Sequence, residues 1–142
     1  DNKLRKPMTK TLSIAIMDAP YESANSTTAL RIIHSALNQG HNVNVFAYEG
    51  AVNLTMKEQT PHANSIKGTT LAQENHPTTK DWISALFKLA QEKGITLNWI
   101  NCGLCVDERG AGNWIDGVHR GGPADFIRSV EKSDGVLVIP TR

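Results

Sequence analysis

Five short apolar runs recur along this chain, and the segments between them are mostly helix-length and patterned as helices. Thr11 to Met17 sets Leu12, Ile14 and Ile16 on one face and Ala15 and Met17 on the other. Asn42 to Ala47 turns Val43 and Val45 one way, and Ile95 to Ile100 alternates Ile95, Leu97 and Trp99 with Thr96 and Asn98. A brief extended piece near Gly117 and Val118, then Gly135 to Ile139, complete the set. Successive strand residues point to opposite faces, so runs that are apolar on both faces need cover on both. Strand and helix in alternation therefore predict an α/β fold: a three-layer αβα sandwich around a mostly parallel sheet of about five strands.

The intervening helices carry their own signals. Ser26 is placed to cap a helix with the stripe Leu30, Ile33 and Leu37, thickened by Ile32 and Ala36 and stopped by Gly40. Thr78 or Thr79 caps another running to Lys93 and ended by Gly94, with Trp82, Leu86 and Leu89 inward. A short helix is expected from about Cys102 to Glu108. Pro123 opens the last, with Asp125 complementing its dipole. Tyr48 to Thr78 is expected as a long polar loop with one helical turn around Val52 to Met56, which reads either as a lid or as a surface insertion. The organisation is a polar extension over residues 1–10 and one domain over 11–142, enough chain to bury roughly 70% of its unfolded surface.

Composition narrows the function. Fifteen basic and fourteen acidic residues leave a net charge of +1, which argues against binding nucleic acid by bulk charge. No window approaches a membrane span. Asp1 to Lys10 lacks the apolar core of a secretion signal, so the expected compartment is the cytoplasm. There, paired thiols serve catalysis or metal binding more often than structural bridging. In parallel sheets, chemistry gathers beyond the carboxyl ends of the strands, which places Asp18 to Tyr21, Tyr48 to Ala51 and Asn101 to Cys105 at one edge. Asp18-Ala19-Pro20-Tyr21 after the first strand is no glycine-rich phosphate loop, which counts against a nucleotide-binding module.

Both cysteines of the chain stand in Cys102-Gly103-Leu104-Cys105, at a strand-to-helix turn. A thiolate there is stabilised by unpaired N–H groups and the positive end of the helix dipole, more for Cys102 than for Cys105. The readings open to this pattern are a thioredoxin-like redox pair, a zinc site, a sulfur carrier needing one reactive thiolate, and two small buried side chains. A redox pair of that kind normally follows the first strands of its domain. A zinc site lacks a second ligand pair, with His62, His76 and His119 as unpatterned candidates, so no metal is expected. Backbone N–H groups of Gly103 and Leu104 are placed to hold an anionic sulfur, and Arg109 to neutralise it. Tyr21 and Asn25 are placed to line the pocket, and His119 and Arg120 approach from the next turn. His34 and His41 read as helix-surface residues, and Trp82, Trp99 and Trp114 as core or interface anchors.

The chain resembles the DsrE/DsrF-like sulfur-relay family, with its TusD-like and YchN-like members. The resemblance is carried by the Asp18-Ala19-Pro20-Tyr21 break and by Asn38-Gln39-Gly40-His41 before a strand. Cys102-Gly-Leu-Cys105-Val-Asp-Glu-Arg109-Gly110 is similar to the family's Cys-Gly-Thr-Cys-x-x-x-Arg-Gly signature, and Ser133 to Val138 resembles its closing strand. The resemblance implies a flavodoxin-like, DsrE-like sheet and a protein that accepts sulfane sulfur, as persulfide or thiosulfonate, and passes it to a partner. By register Cys102 matches the sulfur-bearing cysteine and Cys105 the second cysteine of some members. It further implies TusA-like or rhodanese-like partners, a homotrimer or hexamer, and no cofactor. The alternatives are a thiol–disulfide switch and a non-catalytic binding module.

Overall fold

The computed structural model describes residues 8–141; residues 1–7 of the expected polar extension, and Arg142, lie outside the described residues. Its elements run β1 (Thr11–Ile16), α1 (Asn25–Asn38), β2 (Asn42–Ala47), a 3-10 turn (Glu49–Thr55), α2 (Leu71–Glu74), α3 (Thr79–Lys93), β3 (Leu97–Cys102), α4 (Gly103–Arg109), β4 (Val118–Gly121), α5 (Pro123–Glu131) and β5 (Gly135–Ile139). All five strands are parallel, in the order β4-β3-β2-β1-β5. The alternation of apolar runs and helical stripes thus yields the expected α/β fold.

Register explains where the core lies. Leu137, Ile14, Val45, Trp99 and Val118 form one row across the sheet, since each pairs with the next. That face packs against Leu30, Ile33 and Leu37 of α1 and Ile83, Leu86 and Ala90 of α3, all buried. The opposite face is covered more thinly. Phe126 of α5 stacks on Phe46 of β2 at 5.6 Å, and Phe46 stacks in turn on Tyr48 at 5.5 Å. No residue of α5 is fully buried, and Val136, Leu137 and Val138 of the edge strand β5 stay 40–54% exposed.

Most local signals were followed, but β3 runs over Leu97–Cys102 rather than from Ile95 to Ile100, so Cys102 belongs to the strand and α4 starts at Gly103. Thr78 caps α3 by accepting from the Asp81 N–H, and Gly94 ends it in the left-handed region at φ 67°. Ser26, however, does not cap α1. The helix begins one residue earlier, and the Ser26 hydroxyl donates instead to Asp18 O at 2.9 Å, tying the helix to the exit of β1. The segment after Tyr48 is also less open than its polarity suggests. Ala51, Val52, Leu54 and Thr55 of the 3-10 turn are fully buried, and a Thr70–Gln73 capping box starts α2.

Candidate functional site

The carboxyl ends of β1, β2 and β3 are joined by hydrogen bonds into one shelf. Tyr48 N–H donates to Ile16 O at 3.1 Å and Ala51 N–H to Met17 O at 2.9 Å, so the 3-10 turn lies across the β1 exit. Gly50 lies so close to that exit that a Cβ would stand 2.8 Å from Ala19 Cβ. Glu49, next to it, takes a left-handed φ of 51°, unusual for a side-chain-bearing residue. Its N–H thereby points at the Cys105 sulfur, 3.1 Å away.

Cys102 ends β3 and is the N-cap residue of α4, and Cys105 follows one turn on. Both are free thiols and each is 8% exposed. They share an apolar cluster with Phe46, Val52, Val106 and Ala111, flanked by Tyr48, Trp114 and Phe126. Burial pushes the Cys105 thiol up from its ordinary range, the Glu49 N–H pulls it back in part, and the neighbouring Cys102 raises it again. Cys105 is therefore held as a neutral thiol close to the other sulfur.

The two arginines divide differently from the sequence expectation. Arg109 folds back along α4, with Nη2 3.0 Å from Glu49 Oε2 and Nη1 3.4 Å from Glu108 Oε2, and a long 3.5 Å contact to Cys105 O. Its charge is thus shared between two carboxylates on the Cys105 side. Arg120 comes in from β4, whose register sets it beside Asn101, with Gly121 beside Cys102. Its guanidinium lies against Gly103, where an added Cβ would stand 2.8 Å from both Cζ and Nε. It grips Asp107 with both forks, at 2.9 and 2.7 Å. Those bonds hold the Asp107 carboxyl below its usual range.

The remaining sequence candidates fall in different places. Gly103 is buried at the start of α4, whereas the Leu104 side chain is exposed. Tyr21, at φ 65°, packs its half-exposed ring against His62 and His76, with centroids 5.8 and 5.9 Å away. Asn25 closes the β1 exit by donating to Pro140 O at 2.8 Å and Asp18 Oδ2 at 3.3 Å. Beside this shelf opens a cleft of about 1230 Å³ lined by Asp18, Glu22, Glu49, Asn53, Glu58 and Arg109, among others. Neither thiol lines it; Glu49 and Arg109 stand between the cleft and Cys105.

Beneath the shelf runs a polar link that periodicity did not reveal. Trp99 Nε1 donates to Asn101 Oδ1 at 3.2 Å, and Asn101 Nδ2 donates to Thr55 Oγ1 at 2.9 Å. All three residues are fully buried, so the end of β3 is tied to the end of the 3-10 turn. Among the described residues no cluster of three or more His, Cys, Asp or Glu could hold a metal, and no helix is long and apolar enough to cross a membrane.

Comparison with known proteins places this geometry in context. The model of the DsrE/DsrF-like family matches residues 10–139. An uncharacterized protein of Methanopyrus kandleri is 28% identical over 128 residues, covering 89% of this chain and 91% of its own. Another from Methanocaldococcus jannaschii is 29% identical over 127 residues, covering 88% and 96%. The crystal structure of the ychN protein from E. coli superposes with a TM-score of 0.64 at 22% identity, covering 92% of this chain and 99% of that one. At that identity the likeness is one of fold.

Proposed function

The chain belongs to the DsrE/DsrF-like family, and with that membership as the premise we propose that it accepts sulfane sulfur on Cys102 and hands it to a partner protein. The family supports a role of the sulfur-relay type in general. The single observation that carries the finer reading is the pairing of two free, nearly buried thiols at the turn from β3 into α4, one of which accepts the Glu49 N–H. A cargo sulfur bound there is shielded from bulk water and stray thiols, which a carrier requires.

In this reading the Cys102 thiolate attacks the outer sulfur of a donor persulfide. A Cys102 S–S bond forms, the donor S–S bond breaks, and the donor leaves as a thiolate. An acceptor thiolate then attacks the outer sulfur of Cys102, which departs as thiolate, so no net oxidation occurs. A thiosulfonate cargo is the second form open to the same residue. Cys105, kept protonated by burial, offers its S–H to the charged sulfur. Once deprotonated, its thiolate attacks the inner sulfur of a stranded persulfide, so that a Cys102–Cys105 disulfide forms, the persulfide S–S bond breaks and hydrosulfide leaves. Gly103 and Leu104 supply the backbone of the first turn, and Arg109 braces Glu49 so that its N–H stays on Cys105. Tyr21 and Asn25 shape the neighbouring β1 exit rather than the sulfur pocket.

The donor and acceptor are proposed as TusA-like or rhodanese-like proteins of the cytoplasm. The exposed Val136 and Val138 of β5, with Ile127 of α5, support assembly of identical chains into a trimer or hexamer. Intact-mass analysis after polysulfide or tetrathionate treatment tests the sulfur reading. Added sulfur on the wild type that disappears in Cys102→Ser supports it; no adduct, or one that persists in that variant, defeats it. The adjacency of the two thiols also favours a second reading, a dithiol–disulfide switch. That reading requires a reduction potential near the glutathione poise and no sulfur loading.

A further inference from the structure

We propose that Arg120 is the positioning residue for charged sulfur at Cys102, releasing the Asp107 carboxylate and turning to the sulfur when that sulfur is an anion. The inference rests on Cys102 being the sulfur-bearing residue.

Geometry brings the guanidinium to the right corner. β4 is the edge strand beside β3, and Arg120 sits one step before the position opposite Cys102. The guanidinium lies over Gly103, the residue directly after Cys102, in space that any side chain there would occupy. An arginine stays charged throughout the working range and offers a planar fork to one anion at a time. Its present anion is Asp107, at 2.7 Å, in a pair whose side chains are 52% and 61% exposed. A pair this open to water is weakly held and can be exchanged without stranding a buried charge. The charge of an ionised Cys102 also acts on Arg120, adding to the pull of Asp107.

Nearby charges are otherwise committed. Arg109 serves Glu49 and Glu108. Arg128 serves Asp125 Oδ1 at 2.6 Å, while the other Asp125 oxygen accepts the Gly122 N–H at 2.8 Å. Cys105 is held neutral by burial. His119, beside Ile100 on β4, is the other titratable group of this strand and is controlled by substitution. The two carboxylates that hold Arg109 are about as exposed as Asp107, but that arginine lies on the Cys105 side, so Arg120 is the cation set against Gly103, the residue after Cys102.

The test is the rate at which iodoacetamide alkylates Cys102 in the unloaded protein, measured from pH 6 to pH 10. Fragmentation of the tryptic peptide spanning residues 94–109 separates Cys102 from Cys105. Arg120→Gln leaves Asp107 unneutralised, and is expected to slow Cys102 alkylation at neutral pH about three-fold, the scale of one screened ion pair. Asp107→Asn frees the guanidinium for sulfur and is expected to speed it by a similar factor. The double variant falls between them, Arg120→Lys stays near wild type, and all rates converge where the thiol is fully ionised. The same signs hold in a His119→Gln background. A merely structural brace predicts that both single variants, which break the same pair, shift the rate in the same direction. Shifts of equal sign, or no shift, overturn the proposal. Should Arg120→Gln fail to fold, Asp107→Asn decides alone: acceleration supports the exchange, and unchanged or slower reaction refutes it. Alkylation does not depend on sulfur loading, so this assay can fail while the loading assay succeeds, and the reverse.

Discussion

Removing the Asn101 side chain puts the buried link beneath the site to its most searching test. Asn101→Ala strips the acceptor from Trp99 Nε1 and the donor from Thr55 Oγ1, in a place none of the three residues shares with water. The indole N–H is left with no partner. The Thr55 hydroxyl keeps only its long 3.4 Å contact to Val52 O. A buried polar group left unsatisfied costs about 1–3 kcal/mol, so one full loss and one partial loss come to about 3 kcal/mol. Against a total stability of roughly 5–15 kcal/mol this is a large share. It corresponds to a fall in melting temperature of roughly 10 °C for a domain of this size. Urea unfolding followed by circular dichroism measures it. Thr55→Val should cost about 1–2 kcal/mol by itself, and the double variant should cost less than the sum because both substitutions break one shared bond. A loss below about 1 kcal/mol for Asn101→Ala, or strict additivity in the double variant, refutes the network as a tie between β3 and the 3-10 turn. The same variant should also loosen Glu49 from the Cys105 sulfur, seen as faster alkylation of Cys105.

Further outcomes follow from single contacts. Gly50→Ala presses a Cβ to within 2.8 Å of Ala19 Cβ and 3.0 Å of Ala19 N, neither at the end of a flexible side chain. Overpacking of this kind costs about 1–3 kcal/mol and should appear as a lowered urea midpoint. Burial raises the Cys105 thiol in the folded protein, so its stabilising contribution is complete below the unfolded value of about 8.5 and is lost as pH rises through the folded value. Urea midpoints at pH 7 and pH 10 should therefore diverge more in the wild type than in Cys105→Ser. Under the proposed assembly, replacing Val136 and Val138 with lysine should reduce the mass seen by analytical ultracentrifugation to that of one chain, because both are exposed on the edge strand; a wild type that already sediments as one chain, or a variant of unchanged mass, contradicts it.

The layered architecture was legible because its signals are repeated and local. Alternation marked β1, β2, β3 and β5, and capping threonine and terminal glycine marked α3. The misses have physical causes. β4 extends to Gly121 rather than stopping near Val118, because Val-His-Arg-Gly on an edge has little apolar alternation to display. The 3-10 turn hides Val52 and Leu54 in the core, but seven residues are too few to establish a period. Ser26 was read as a cap from residue type alone, whereas its hydroxyl is claimed by a carbonyl eight residues earlier. At the site, the CxxC spacing located both sulfurs, and the neighbouring turn brought Arg120 into consideration. Its placement over Gly103 could not be read, because it depends on the pairing of two strands far apart in sequence. Sequence order favoured Arg109 as the partner of charged sulfur; tertiary packing gives that arginine to Glu49 instead.

Sulfur loading followed by intact mass spectrometry bears most directly on the central claim. Wild type exposed to polysulfide should gain the mass of sulfur and release it to dithiothreitol, and Cys105→Ser should load in the same way. Cys102→Ser should gain nothing under the same conditions. Loading that survives the loss of Cys102, or a wild type that never loads, contradicts the account.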